Sequence, residues 1–157
     1  TTIPLDVHLM IEKPERKLDT IIDAGADIIT IHQESTTRLY SCIEKIKSRG
    51  VKAGVVLSPA TNEDTLKYVL DKIDMILLMT INPGEAGPGF HEELLTKIKN
   101  VRELIGDRDI DLEVDGGIDN TNIAKCKEAG VNVFVSGGYV FKGDIAEKIK
   151  TLREALK

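Results

Sequence analysis

Cysteine is scarce in this sequence, with Cys42 and Cys126 the only two in 157 residues. Both fall in helix-like segments and no CxxC spacing occurs, so neither a disulfide framework nor a cysteine-built zinc site is indicated, and a reducing, cytoplasmic setting is expected. Basic charge is in short supply too: 21 Lys and Arg against 26 Asp and Glu leave a net charge of −5. That balance argues against a nucleic-acid footprint and offers no basic stripe for anionic lipid. No apolar run approaches the roughly 18 residues that a bilayer span requires. The start, TTIPLDVHLM, lacks the basic residues and apolar core of a secretion signal. Neither nucleic acid nor membrane is therefore expected as a partner. Also missing are the GxxxxGK[ST] phosphate loop, a GxGxxG after the first strand, and a GxSxG elbow. Their absence speaks against an NTPase, a dinucleotide enzyme and that class of serine hydrolase.

What is present is a repeat. Short apolar runs recur at Leu5 to Met10, Ile28 to His32, Lys52 to Leu57, Met75 to Met79, Leu112 to Val114 and Val133 to Ser136. Each is too short for an independent helix and too continuously apolar for a one-sided sheet, which predicts buried parallel strands. Amphipathic stretches predict helices between and after them, over Glu15 to Asp23, Arg38 to Lys47, Glu63 to Val69, Glu92 to Ile105, Thr121 to Glu128 and Asp144 to Leu156.

The joints repeat as well. DAGADIIT, SRGVKAGV and EAGVNVFV each set a glycine (Gly25, Gly50, Gly130) where a helix ends and a strand begins. A left-handed residue after the helix C-cap does this job, and glycine takes it without a Cβ penalty. The chain therefore reads as one α/β domain over residues 1–157, at about 26 residues per βα unit, with right-handed crossovers. Such a repeat forms either an open doubly wound sheet or an eight-stranded barrel of roughly 250 residues. Six units are two short of closure, and the barrel is the expected architecture.

In either architecture ligands gather at the carboxyl ends of the strands. Asp115, in EVDGGID, ends a strand before two glycines. It is suited to act as a general base or metal ligand beside an anion site, and equally as an N-cap or turn residue. His8 alternates with Val7 and Leu9, so it faces one side of its strand, where a buried imidazole is hydrogen-bonded or ligates a metal; for a lone histidine the structural role is the commoner. His32 carries the same alternatives, with Glu34 two residues on as an orienting carboxylate. His91 opens a helix and reads as a surface residue. Met10 and Met79 are ordinarily core filler, although soft walls at strand ends also suit a reactive centre. The pairs Gly116–Gly117 and Gly137–Gly138 follow the last two strands, where barrel enzymes often bind phosphate. The stretch INPGEAGPGF packs three glycines and two prolines between a strand and a helix, more than a simple reversal needs.

With LDVHLMIEKPE, GADIITIHQES, KAGVVLSPAT, LLMTINPG, EVDGGI and VSGG in one order, the sequence resembles the ribulose-phosphate 3-epimerase family over its whole length. The resemblance implies a TIM (β/α)8 barrel, of which the third to eighth units are present here. It implies inversion at C3 of a ketose phosphate, interconverting D-ribulose 5-phosphate and D-xylulose 5-phosphate by two-carboxylate proton transfer through an enediolate. A divalent metal is implied, zinc or iron first and manganese or cobalt after them, with His8 and Asp115 among its ligands and Asp115 also one acid/base carboxylate. His8, Met10, Met79, Gly84, Gly87, Gly116, Gly117, Gly137 and Gly138 are the residues expected to bind substrate. Of these, Gly84, Gly117, Gly137 and Gly138 match phosphate-holding positions, and Asn82 to Gly89 matches a lid loop.

The chain departs from the family at several points. The lid reads PGEAGP where PGFGGQ is usual, placing acidic Glu85 near the phosphate mouth, with Ala86 and Pro88 beyond it. Ala86 also occurs in allulose-6-phosphate 3-epimerases, which keeps a hexulose phosphate open as substrate. SGG replaces the common SGS and loses a hydroxyl at Gly138. The first strand and the HxD pair on strand two have no counterpart. The visible polypeptide alone is therefore expected to be nearly inactive, and a non-catalytic phosphate-binding fragment is the reading from another class. A decarboxylase of the orotidine-phosphate type is disfavoured by the lack of a DxKxxD array. Open sheet edges make a homo-oligomer the expected state.

Overall fold

The computed structural model describes residues 1–85 and 89–157. Six strands form one parallel sheet: β1 (Asp6–Leu9), β2 (Ile28–His32), β3 (Lys52–Leu57), β4 (Met75–Met79), β5 (Asp111–Asp115) and β6 (Val133–Val135). They lie in the spatial order β1-β2-β3-β4-β5-β6. A doubly wound sheet reverses its strand order at a switch point. Here the order never reverses, so the chain winds in one sense as a TIM-like barrel does.

The helices are α1 (Leu18–Asp23), α2 (Leu39–Ser48), α3 (Leu94–Ile105), α4 (Ile123–Glu128), α5 (Gly137–Val140) and α6 (Ile145–Ala155). Three expectations need correction. The segment predicted as a helix over Glu63 to Val69 is a 3-10 helix, Glu63–Tyr68, followed by a second 3-10 turn at Leu70–Lys72. Its Leu66, Val69 and Leu70 are buried, and an i, i+3, i+4 apolar pattern suits either helix type, so periodicity does not separate them. The helix expected from Glu15 divides into a 3-10 turn at Pro14–Arg16 and α1. The short α5 opens on two glycines and carries no amphipathic signal.

Strand alternation builds two faces. Leu9, Ile29, Ile31, Val55, Leu57, Ile76, Leu78, Leu112 and Val114 pack with Leu18, Ile43, Ile46, Ile98, Val101, Ile105, Ile123 and Leu152 of the helices in one apolar core. Each such side chain contributes about 1.5–3 kcal/mol when fully buried. The other face has a small apolar cluster of Val56, Leu77 and Met79. Its remaining positions are mostly polar or small: one register line runs His8, Thr30, Gly54, Met75, Asp111, and the next holds His32, Val56, Leu77, Glu113.

The joint glycines behave as expected. Gly25, Gly50 and Gly130 follow the C-caps of α1, α2 and α4 with φ of 98°, 75° and 112°. Each releases the chain from a helix directly into β2, β3 or β6.

Candidate active site

The deciding contact joins strands that are not neighbours. His8 near the end of β1 places Nδ1 3.6 Å from Asp115 Oδ2 at the end of β5. In a flat sheet, four strand spacings of about 4.8 Å would hold these positions roughly 19 Å apart. The sheet is therefore curled, and its concave face, the one bearing His8, His32, Glu113 and Asp115, is where the strand ends converge.

Asp115 is held through its backbone. Thr80, directly after β4 and fully buried, donates its N–H to the Asp115 carbonyl at 2.8 Å and its hydroxyl to the same oxygen at 3.0 Å. The next two residues allow no side chain. Gly116 has φ 128° and a Cβ there would lie 2.6 Å from Ile81 Cγ1; Gly117 has φ 65° and its Cβ would meet Phe90 N at 2.9 Å. Asn122 fixes the loop by donating to the Gly117 carbonyl at 2.8 Å, and Ser136 ties the last strand to it by donating to the Ile118 carbonyl at 2.7 Å.

On the other side of His8, its Nε2 meets His32 Nε2 at 2.8 Å. The ring centroids are 4.9 Å apart with planes at 30°, so the rings extend away from each other and meet edge to edge. His32 Nδ1 lies 3.3 Å from Glu34 Oε2, while Glu34 Oε1 accepts from the Ser58 N–H at 2.8 Å and from the Thr61 hydroxyl. Burial, reinforced by the facing His8, lowers the pKa of His32 against the opposing pull of Glu34. Burial alone would raise the Glu34 carboxyl, but the hydrogen bonds from Thr61 and Ser58 hold it below its ordinary value.

The sequence reading missed three residues here. Glu113 sits on the concave face with its carboxyl pushed up to about 8 by burial and by Asp6, Asp115 and Asp111. Its alternation with Leu112 and Val114 was a usable signal. Lys97 on α3 donates to the carbonyls of Ser58, Pro59 and Thr61 at 2.8, 3.2 and 2.6 Å, and burial lowers its pKa. Its partners are backbone atoms, which leave no sequence signal. Lys142 lines the glycine-walled cavity.

That cavity, of about 560 Å³, brings Asp115 together with Gly116, Gly117, Gly137 and Gly138, and Tyr139, Lys142 and Glu85 also line it. Gly84 and Met10 lie elsewhere: they line a neighbouring cavity of about 500 Å³ with His32, Glu34 and Ser58. Met79 is buried in the concave apolar cluster while Met10 is exposed. His91 pairs with Glu93 at 3.3 Å on the surface. Gly87, with Ala86 and Pro88, lies outside the described residues.

A metal can be tested against these donors. Two ligand atoms about 2.1 Å from one tetrahedral ion stand roughly 3.4 Å apart, close to the 3.6 Å between His8 Nδ1 and Asp115 Oδ2. An imidazole nitrogen with a carboxylate oxygen suits a first-row divalent cation. Among the described residues no group of three or more His, Cys, Asp or Glu could hold an ion. The pair fits in kind and spacing and supplies half of a four-ligand set.

Residues 1–141 match the model of the ribulose-phosphate 3 epimerase family. The chain belongs to the ribulose-phosphate 3-epimerase family. The members of this family are carbohydrate isomerases. The chain is 43% identical over 157 residues to the ribulose-phosphate 3-epimerase of Bacillus subtilis (strain 168), covering 98% of this chain and 72% of that protein. It is 44% identical over 158 residues to the chloroplastic ribulose-5-phosphate-3-epimerase of Arabidopsis thaliana, covering 98% of this chain and 56% of that protein. The crystal structure of a 3-hexulose-6-phosphate synthase superposes with a TM-score of 0.74 at 24% identity, over 94% of this chain and 70% of that one, a likeness of fold. No helix among the described residues is long and apolar enough to cross a membrane.

Proposed function

We propose that this chain forms the third to eighth βα units of a (β/α)8 barrel that epimerises a ketose phosphate at C3, with D-ribulose 5-phosphate as substrate and D-xylulose 5-phosphate as product. The observation that carries the reading is the convergence of Asp115 with His8 at 3.6 Å on the concave face, beside a cavity walled by two glycine pairs. Asp115 is placed to move a proton at a carbon held in that cavity. Its backbone is locked by Thr80, and the glycines after it let a ligand approach the main chain closely. Gly116, Gly117, Gly137 and Gly138 would take the phosphate end, with the Lys142 ammonium as a charge partner and Glu85 opposing it. Met79 supplies an apolar wall. Inversion needs a second carboxylate on the opposite face, which the reading assigns to the first two units.

His8 and Asp115 would hold a divalent metal, zinc or iron first, with further ligands from those same units. When bound, the metal supplies positive charge that makes a proton next to a ketone removable. β1 and β6 each have an edge without a strand partner among the described residues, which supports pairing with the units that close the barrel. Association of copies into a homo-oligomer is read out by light scattering.

The test is turnover of D-ribulose 5-phosphate by the full-length protein, followed by proton NMR in D2O, with D-allulose 6-phosphate as the competing substrate. Asp115→Asn is expected to lose about a hundredfold to ten-thousandfold in kcat, the range that a proton-transfer group contributes, and to stop deuterium entry at C3. Turnover undiminished in that variant, or none in the wild type, overturns the reading. A higher kcat/KM for the hexulose phosphate changes the substrate and keeps the chemistry.

A further inference from the structure

We propose that Glu34 and His32 are positioning residues that set the tautomer of His8, leaving its Nδ1 as a bare lone pair aimed at Asp115. Glu34 is clamped by the Ser58 N–H at 2.8 Å and by the Thr61 hydroxyl, both on its Oε1. The loop carrying them is itself held by three carbonyl contacts to Lys97. Oε2 is thereby turned to His32 Nδ1 at 3.3 Å.

A carboxylate only accepts, so His32 Nδ1 carries the proton, and in a neutral ring Nε2 is then the acceptor. The 2.8 Å contact between the two Nε2 atoms needs one proton between them. It must come from His8. With its proton on Nε2, His8 presents an unprotonated Nδ1 to Asp115 Oδ2. The 3.6 Å gap there exceeds a hydrogen bond, as two acceptors with no proton between them require. The opposite assignment puts the proton of His32 on Nε2 and leaves its Nδ1 lone pair facing the Glu34 carboxylate. Glu34 therefore decides between the two.

The consequence is a pocket for an electrophile between His8 and Asp115, prepared by residues that never touch it. What fills that gap rests on the proposed function; the tautomer does not.

The experiment uses the full-length protein with 15N-labelled histidine, stripped of metal with EDTA, in long-range proton–nitrogen correlation spectra at neutral pH. His8, His32 and His91 are the only histidines of this chain, and single substitutions assign them. The expected result is a proton on Nε2 and none on Nδ1 of His8, with the reverse in His32. Glu34→Ala is expected to mix the His8 tautomers and weaken zinc binding, measured by chelator competition, by about 10–100-fold. Glu34→Asp is expected to restore part of both. A proton on Nδ1 of His8 in the wild type overturns the proposal, and that measurement stands even if the variants fail to fold. So does a Glu34→Ala protein with unchanged tautomer and zinc affinity. The assigned tautomer in a wild type that lacks epimerase activity supports this proposal and counts against the functional reading alone.

Discussion

The two faces of the one sheet are built by alternate residues of the same strands and obey different rules. The helix-side face is continuous and apolar, from Leu9 across Ile31, Val55, Ile76 and Leu78 to Val114. The concave face carries a cluster of three apolar residues and, around it, His8, His32, Thr30, Glu113 and Asp115. Depth of burial alone does not separate them: on the concave face Thr30 is fully buried and Glu113 nearly so, while His8 and Asp115 are partly exposed. The difference is therefore in chemistry, with one face committed to stability and the other holding polar groups at a cost that function explains.

Substitutions can break or sharpen this contrast. Ile76→Ala, on the helix side, removes a fully buried side chain from the continuous core. It is expected to cost about 2–5 kcal/mol in urea unfolding; a loss well under 1 kcal/mol would mean that this face does not carry the stability. Lys97→Met keeps the apolar stem but abandons the carbonyls of Ser58, Pro59 and Thr61. Hydrogen bonds to a charged donor set the expected loss at about 1.5–3 kcal/mol, accompanied by faster amide exchange at Ser58.

Glu113→Gln is expected to act in the opposite sense. The folded carboxyl titrates at about 8, above the ordinary 4.5, so the native state holds the extra proton. Its contribution is complete below pH 4.5 and is lost as pH rises through about 8, with a slope of up to about 1.4 kcal/mol per pH unit. In EDTA, the Glu113→Gln variant should lack that slope and be the more stable at pH 8; parallel stability curves for the two proteins would refute the assignment. The smallest effect belongs to Thr30→Val. The Thr30 hydroxyl is buried without a hydrogen-bond partner among the described residues, so an isosteric methyl should change stability by less than about 1 kcal/mol, and in the stabilising direction. A clear loss would show that the hydroxyl has a partner in the full-length protein.

Much of the fold was legible. β2, β3 and β4 begin and end where the apolar runs do, and Gly25, Gly50 and Gly130 take the left-handed geometry that their positions implied. These are local properties: alternation, turn chemistry and propensity act over a few residues. Glu63 to Tyr68 was mistaken in helix type because 3-10 and α turns bury the same spacing. Of the site, the candidates at the strand ends were readable one by one, but their groupings were not. Met10 and Met79 looked equivalent and differ in burial, whereas His32 and Glu34 looked secondary and join His8 in one line of contacts.

By itself, then, the sequence determined the repeating βα grammar, the alternation that gives each strand two faces, and the chemistry waiting at the carboxyl ends. Only the tertiary structure decided that strands run in unreversed order and curl far enough to bring His8 of β1 within 3.6 Å of Asp115 of β5. The physical reason is that curl accumulates from small twists between successive strands, a quantity that no single stretch of residues encodes.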